Sequence, residues 1–258
     1  MSIVRFVALG DSFTEGVGDS RADGSVRGWA DRVAEGLALH HGEIEYANLA
    51  IRGRLLDAII EEQLPAALAL QPTLLSFNGG GNDMLRPGTN LAHLSSRLEE
   101  VVRRVTEAGV RMLLVSGANP TAHLPSGGRV QRIGDQLNDA VRALTSTNGI
   151  TYADNWSNPD LTGRRFWDED RLHLNPWGHR AVASHVLRTL EVPVPAYWTG
   201  DAPEIEAPGF TQNVRYTVKY VLPWIGRRLT GRSSGDGRTG KYTEWVRISA
   251  EQFSADAA

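Results

Sequence analysis

Apolar residues recur along this chain in two alternating rhythms. Short runs of β-branched and large apolar residues close on glycine or a polar residue, and longer stretches repeat every three to four positions. Val4-Arg5-Phe6-Val7-Ala8-Leu9 reads as a buried strand running into the turn Gly10-Asp11-Ser12. Trp29, Val33 and Leu37 then recur at helical spacing until His40-His41-Gly42 stops the run. Residues 44–50 alternate as a second strand, and Ile51-Arg52-Gly53-Arg54 turns the chain into a helix carrying Leu55, Leu56, Ile59, Ile60 and Leu64. The same unit recurs with strand Thr73 to Asn78, the turn Gly79-Gly80-Gly81-Asn82-Asp83, and a helix bearing Leu91, Leu94, Leu98, Val101, Val102 and Val105. Arg111 to Ser116 is the clearest strand; Val130 to Leu144 is a helix and Ile150 to Ala153 a fifth strand. Asn175-Pro176, an N-cap followed by proline at the first helical position, opens a last helix with Val182, Val186, Leu187 and Leu190 on its apolar face.

Five strands alternating with helices predict an α/β protein: a doubly wound, flavodoxin-like fold with a five-stranded parallel sheet covered on both faces. The rhythm stops at Pro193, which sets a catalytic domain at residues 1–192 and an extension at 193–258 that packs on it without being an independent domain. In the extension, Pro193, Pro195, Pro203, Pro208 and Pro223 read as an extended connection. Trp198, Phe210, Tyr216, Tyr220, Val221, Leu222, Trp224 and Trp245 are its packing positions, and Gly235-Asp236-Gly237 is a candidate hairpin turn.

Composition narrows the function. At 258 residues with 41% hydrophobic content, the chain suits one large core. Its net charge of −3 hides an asymmetry: eight basic and two acidic residues lie between Arg215 and Arg247, so the body is acidic. An acidic body argues against nucleic acid as a partner, and the basic extension reads as a solvated segment docking on an acidic face. The absence of cysteine excludes disulfides, thiol redox chemistry and thiolate-held metals. No leader pattern precedes the first strand and no stretch approaches the roughly 18 apolar residues of a membrane span, so the expectation is a cytoplasmic protein without membrane insertion.

Residues with chemical potential cluster at strand ends. Ser12 follows the first strand, where a helix N-terminus favours negative charge, although serine there also caps helices. Gly53 can offer an unobstructed backbone N–H and Asn82 its side-chain amide to an oxyanion; as plain structure, they are a turn glycine and a helix cap. Asp83 reads as structural, accepting from backbone N–H groups in its turn. His173 stands two residues before a helix N-cap, and Asp170, three residues earlier, can accept from Nδ1 so that Nε2 faces the serine. His40, His41, His93, His123, His179 and His185 read as surface or packing residues. Arg52 and Arg54 flank Gly53 as solvated side chains or as readers of a charged substrate.

Gly10-Asp11-Ser12-Phe13, Gly53, Gly80-Gly81-Asn82-Asp83 and Asp170-Arg171-Leu172-His173 resemble, in order and spacing, the four blocks of the SGNH/GDSL hydrolase family. The resemblance spans residues 4 to about 190, with Phe13 where that family has leucine; the extension looks like those of actinobacterial members. It implies a three-layer α/β/α fold and a serine carboxylic ester hydrolase without cofactor or metal. Ser12 would be the nucleophile, His173 the general base and Asp170 its orienting acid, with Ser12, Gly53 and Asn82 forming the oxyanion hole. The implied partner is a small-molecule ester: a short-acyl ester, an O-acetyl group or a thioester. The sequence does not give the oligomeric state. A metal-dependent phosphoesterase is disfavoured by the shortage of convergent His and carboxylate ligands. A non-catalytic binding protein on the same fold is disfavoured by the completeness of the four blocks.

Overall fold

A computed structural model of the protein describes residues 3–124, 127–205, 213, 215–221, 223 and 233–253. Strand β1 (Val4–Leu9) runs into the single turn of α1 (Ser12–Glu15), and α2 (Trp29–His41) leads to β2 (Glu43–Asn48). Next, α3 (Leu56–Ala58), a π-helical turn (Ile59–Gln63) and α4 (Leu64–Ala69) run on without a break. Beyond them come β3 (Leu74–Phe77), the short α5 (Gly81–Met84), α6 (Leu91–Glu107), β4 (Arg111–Val115), α7 (Gly127–Asn148), β5 (Thr151–Ala153) and α8 (Pro176–Thr189). The extension contributes β6 (Tyr242–Ser249). The cap expected at α8 is present: the Asn175 side chain accepts from the N–H groups of Trp177 and Gly178, with Pro176 at the first helical position.

The strands form one sheet in the order β5-β4-β3-β1-β2-β6. Five are mutually parallel, in the flavodoxin-like order, and β6 runs antiparallel along β2. The sheet thus has six strands rather than the expected five, and Gly235-Asp236-Gly237, the anticipated hairpin turn, lies in a turn that precedes β6; the residues immediately before Ser233 lie outside those described. The reason is the edge of β2, whose unpaired N–H and C=O groups would otherwise face solvent; β6 pairs there, two hundred or so positions away in sequence, as in Ile44 opposite Ile248. Phe210, Leu222 and Trp224 lie outside the described residues.

Successive side chains of a strand point to opposite faces, so β1 serves two cores. Phe6 and Ala8 face a cluster built with Trp29, Val33 and Leu37 of α2 and Val182, Val186 and Leu187 of α8. Val7 and Leu9 face a second cluster with Ile59, Ile60 and Leu64, Leu98 and Val101 of α6, and Leu137 of α7. In β6 the same alternation sends Tyr242, Val246 and Ile248 to the first core and Trp245 to the second. Helices therefore cover both sides, giving the α/β/α layering. Strand β1 is central and its connections leave in opposite senses, toward β2 on one side and with β3 on the other. This is the topological switch point where α/β sheets bind ligands, beyond the strands' carboxyl ends. The turns after β1 and β3, which carry Ser12 and Asn82, open there.

Candidate active site

Local backbone chemistry sets Ser12 at the switch point. Gly10 is required by close approach, since a Cβ there would crowd the Thr14 side chain, with its oxygen only 2.5 Å away. Asp11 caps α1 by accepting from Phe13 N–H at 3.0 Å, and Ser12 is its first residue. With four residues, α1 has too few aligned peptides to supply the dipole expected behind the serine. A residue missed by sequence reasoning steadies this turn. The buried Gln63 side chain accepts from Gly10 N–H and donates to Gly10 C=O, both at 2.9 Å, imitating a strand partner. Gln63 belongs to the π-helical turn, and its only sequence signal is a polar residue within an apolar helical run.

The loop from Trp167 to Leu174 carries the other two groups and is closed by a bridge between those residues. Within it, one oxygen of Asp170 accepts from the N–H groups of Leu172 (3.0 Å) and His173 (2.9 Å). Its other oxygen accepts from His173 Nδ1–H at 2.5 Å, and His173 Nε2 lies 2.9 Å from Ser12 Oγ. Burial alone would raise the Asp170 pKa, but the histidine's hydrogen bond and charge and the two backbone N–H groups bring it down to about 2. Burial would lower that of His173, yet the hydrogen bond and charge of Asp170, with Asp11 and Asp168 nearby, raise it above the ordinary histidine value. Arg171, between Asp170 and Leu172, adopts a left-handed φ of 59°. Its guanidinium stacks 4.1 Å from the Tyr216 ring of the extension and donates to Asn213.

The three expected oxyanion donors differ in availability. Among the described residues no acceptor meets the backbone N–H of Ser12 or Gly53. Gly53 has a φ of 76°, and a Cβ there would collide with Ser233 of the extension. The Asn82 amide is engaged instead of open: it donates to Asp11 Oδ2 and to Arg54 C=O, each at 3.0 Å. Asp11 is buried, which pushes its pKa up to about 6 despite the Phe13 N–H and the charge of His173; Asp83 and Glu15 add to the rise.

Other expectations resolve as follows. Asp83 binds backbone as expected, and the partner lies across the fold as well: it accepts from Leu56 N–H at 3.0 Å, besides its own N–H. Arg52 forks onto Glu15 and Arg54 pairs with Glu62, so both guanidinium groups have protein partners. His179 is buried with Trp29 N–H and Val17 C=O on its ring nitrogens, and burial takes its pKa down to about 4. No group of three or more His, Cys, Asp or Glu residues disposed to hold a metal occurs among the described residues. Nor does any helix there have the length and apolarity to cross a membrane.

A serine, histidine and aspartate in hydrogen-bonded line at the switch point of a flavodoxin-like sheet define the class: an α/β/α protein with the layout of an acyl-transfer site. The sequence profile of the GDSL-like lipase/acylhydrolase family matches residues 8–181, and the chain belongs to that family of carboxylic ester hydrolases. No curated protein matches it by sequence. Solved structures share the fold. The crystal structure of TesA matches at 22% identity with a TM-score of 0.59, over 72% of this chain and 97% of that one. Axe2, an acetylxylan esterase from Geobacillus stearothermophilus, matches at 20% identity and TM-score 0.58, over 75% and 98% of the two chains. A lipase/acylhydrolase from Enterococcus faecalis matches at 18% and 0.60, over 74% and 98%.

Proposed function

We propose that the protein hydrolyses small, short-acyl esters through an acyl-enzyme on Ser12. The observation that carries this reading is the unbroken line from Ser12 Oγ through the His173 ring to Asp170. Ser12 Oγ attacks the ester carbonyl while His173 Nε2 takes its proton, and Asp170 holds the ring in that tautomer and offsets its new charge. The Ser12 and Gly53 N–H groups, without an acceptor among the described residues, meet the developing oxyanion. Asn82 joins them by exchanging its bond to Asp11 for one to the oxyanion. His173 then returns the proton to the departing alcohol, and water repeats the sequence to release the acid.

Two likenesses support a serine mechanism. A serine-to-alanine and an aspartate-to-alanine form of Axe2 are described as catalytic mutants, and a Pseudoalteromonas esterase of this fold as inhibited by monoethylphosphonate. The test is exposure to a serine-directed fluorophosphonate, followed by intact mass and peptide mapping. One adduct on Ser12 is expected, absent in Ser12→Ala and His173→Ala, whose kcat on p-nitrophenyl acetate falls at least about a thousandfold. A folded, unlabelled wild type would overturn the reading.

A further inference from the structure

Beside the cleft over Ser12 lies a second cavity, roofed by α7 and reaching down between β3, β4 and α6, of about 500 Å³ with its open mouth included. Gly81 and Gly117 line both spaces, so the two meet at residues without side chains. A Cβ built at Gly117 meets no atom within 4 Å, and at Gly81 the nearest atom is an Asp11 oxygen at 3.7 Å. In the inner cavity, Phe77, Met84, Leu98, Leu114, Leu137 and Val141 present apolar surface.

Polar side chains on the same wall are bonded to protein. The Asn78 amide donates to Val115 C=O at 2.9 Å, and Ser116 Oγ accepts from Trp156 N–H at 2.9 Å. Asn138 donates to Asp154 at 3.2 Å and to Ser157 at 3.1 Å, and accepts from the Tyr152 hydroxyl. A sugar ring would bring hydroxyls into a space where most side-chain polar groups are already engaged, whereas an alkyl chain needs none.

Resting on the hydrolase reading above, we infer that this inner cavity opens to the cleft past Gly117, that it is the acyl subsite and takes an unsubstituted alkyl chain longer than acetyl, and that Gly117 is its gate. Which half of the ester enters follows from proton transfer. The leaving alcohol must receive its proton from His173 Nε2, so it lies on the His173 side; His173 lines the outer cleft and not the inner cavity. The acyl arm, the other substituent of the carbonyl carbon, points away from His173, past Gly117.

The test is kcat/KM for p-nitrophenyl esters from acetyl to octanoyl. Each methylene buried gains about fourfold, the equivalent of about 0.8 kcal/mol, so the wild type rises along the series until the cavity is full. Gly117→Val, which adds a side chain where there is room, flattens the rise. Val141→Ala, on the far wall, moves the optimum to longer chains. A wild-type profile that falls from acetyl onward, or one unchanged in both variants, overturns the acyl subsite while ester turnover stands. If no ester is turned over and Ser12 takes no fluorophosphonate, the hydrolase reading fails and takes this inference with it.

Discussion

Asp11 is a buried carboxyl wedged between the serine turn and the amide of Asn82, and its environment sets a pH response of its own. Its pKa stands near 6 in the folded protein, raised mainly by burial from 3.8. The folded state therefore holds this proton more tightly than the unfolded chain. The stabilisation it confers is complete below pH 3.8 and is lost as pH rises through 6, a change of about 3 kcal/mol. Asp11→Asn should remove that slope, which urea titrations at pH 4, 5, 6 and 7 would show as a stability difference between the two proteins that changes across the range. His173 produces a separate effect on rate. Only its neutral form accepts the serine proton, so kcat/KM should climb with pH through a value above the ordinary 6.5 and then level. Asp170→Asn removes the hydrogen bond and charge that raise it. The acid limb should move to lower pH and the plateau fall by about 10⁴, read from the pH–rate profile.

Such residues were legible in the sequence to different degrees, for a physical reason. Ser12, Asp170 and His173 could be read because their settings are local: a strand end, and a carboxylate three positions before a histidine at a helix start. The partners of Asn82 could not. Asp11 lies 71 positions away and the Arg54 carbonyl 28, so only packing decides where that amide points.

At the scale of elements, the π-helical turn after α3 shows the same boundary between local and distant information. The periodicity of Leu56, Ile59, Ile60 and Leu64 marks a helix correctly, but nothing in it marks the wide turn that accompanies Gln63 in its place beside Gly10. Gln63→Leu keeps the volume and removes both bonds, leaving the Gly10 N–H buried without a partner at about 1–3 kcal/mol, while its C=O keeps the Ile51 N–H. Chemical denaturation should register that loss, and kcat should drop along with it, since the strand end that carries Ser12 is no longer held. Gln63→Glu should be no better, because a carboxylate cannot donate to the Gly10 carbonyl.

For the molecule as a whole, the described part of the extension meets the site's two loops. Arg171, beside Asp170, meets Tyr216 and Asn213, and the Gly53 turn meets Ser233. Its strand also completes the sheet, which sequence reading missed because the proline- and glycine-rich stretch before it gave no nearby partner. The alternation of Tyr242, Val246 and Ile248 was visible; what was not visible was the free edge of β2. Deleting residues from 242 onward should strip that edge and uncover Tyr46 and Trp245's packing surface. The expected outcome is a shortened protein with a lower melting temperature that self-associates in sedimentation, whereas a dispensable appendage would leave both unchanged.

The pairing of β2 with β6 joins positions about two hundred residues apart, Glu43 and Ser249 among them. During synthesis at roughly 5–20 residues per second, β2 must wait some 10–40 seconds for that neighbour to be made. For that interval the nascent protein displays a bare strand edge to everything around it. The last element to join the sheet is thus also the one that ends its exposure to other chains.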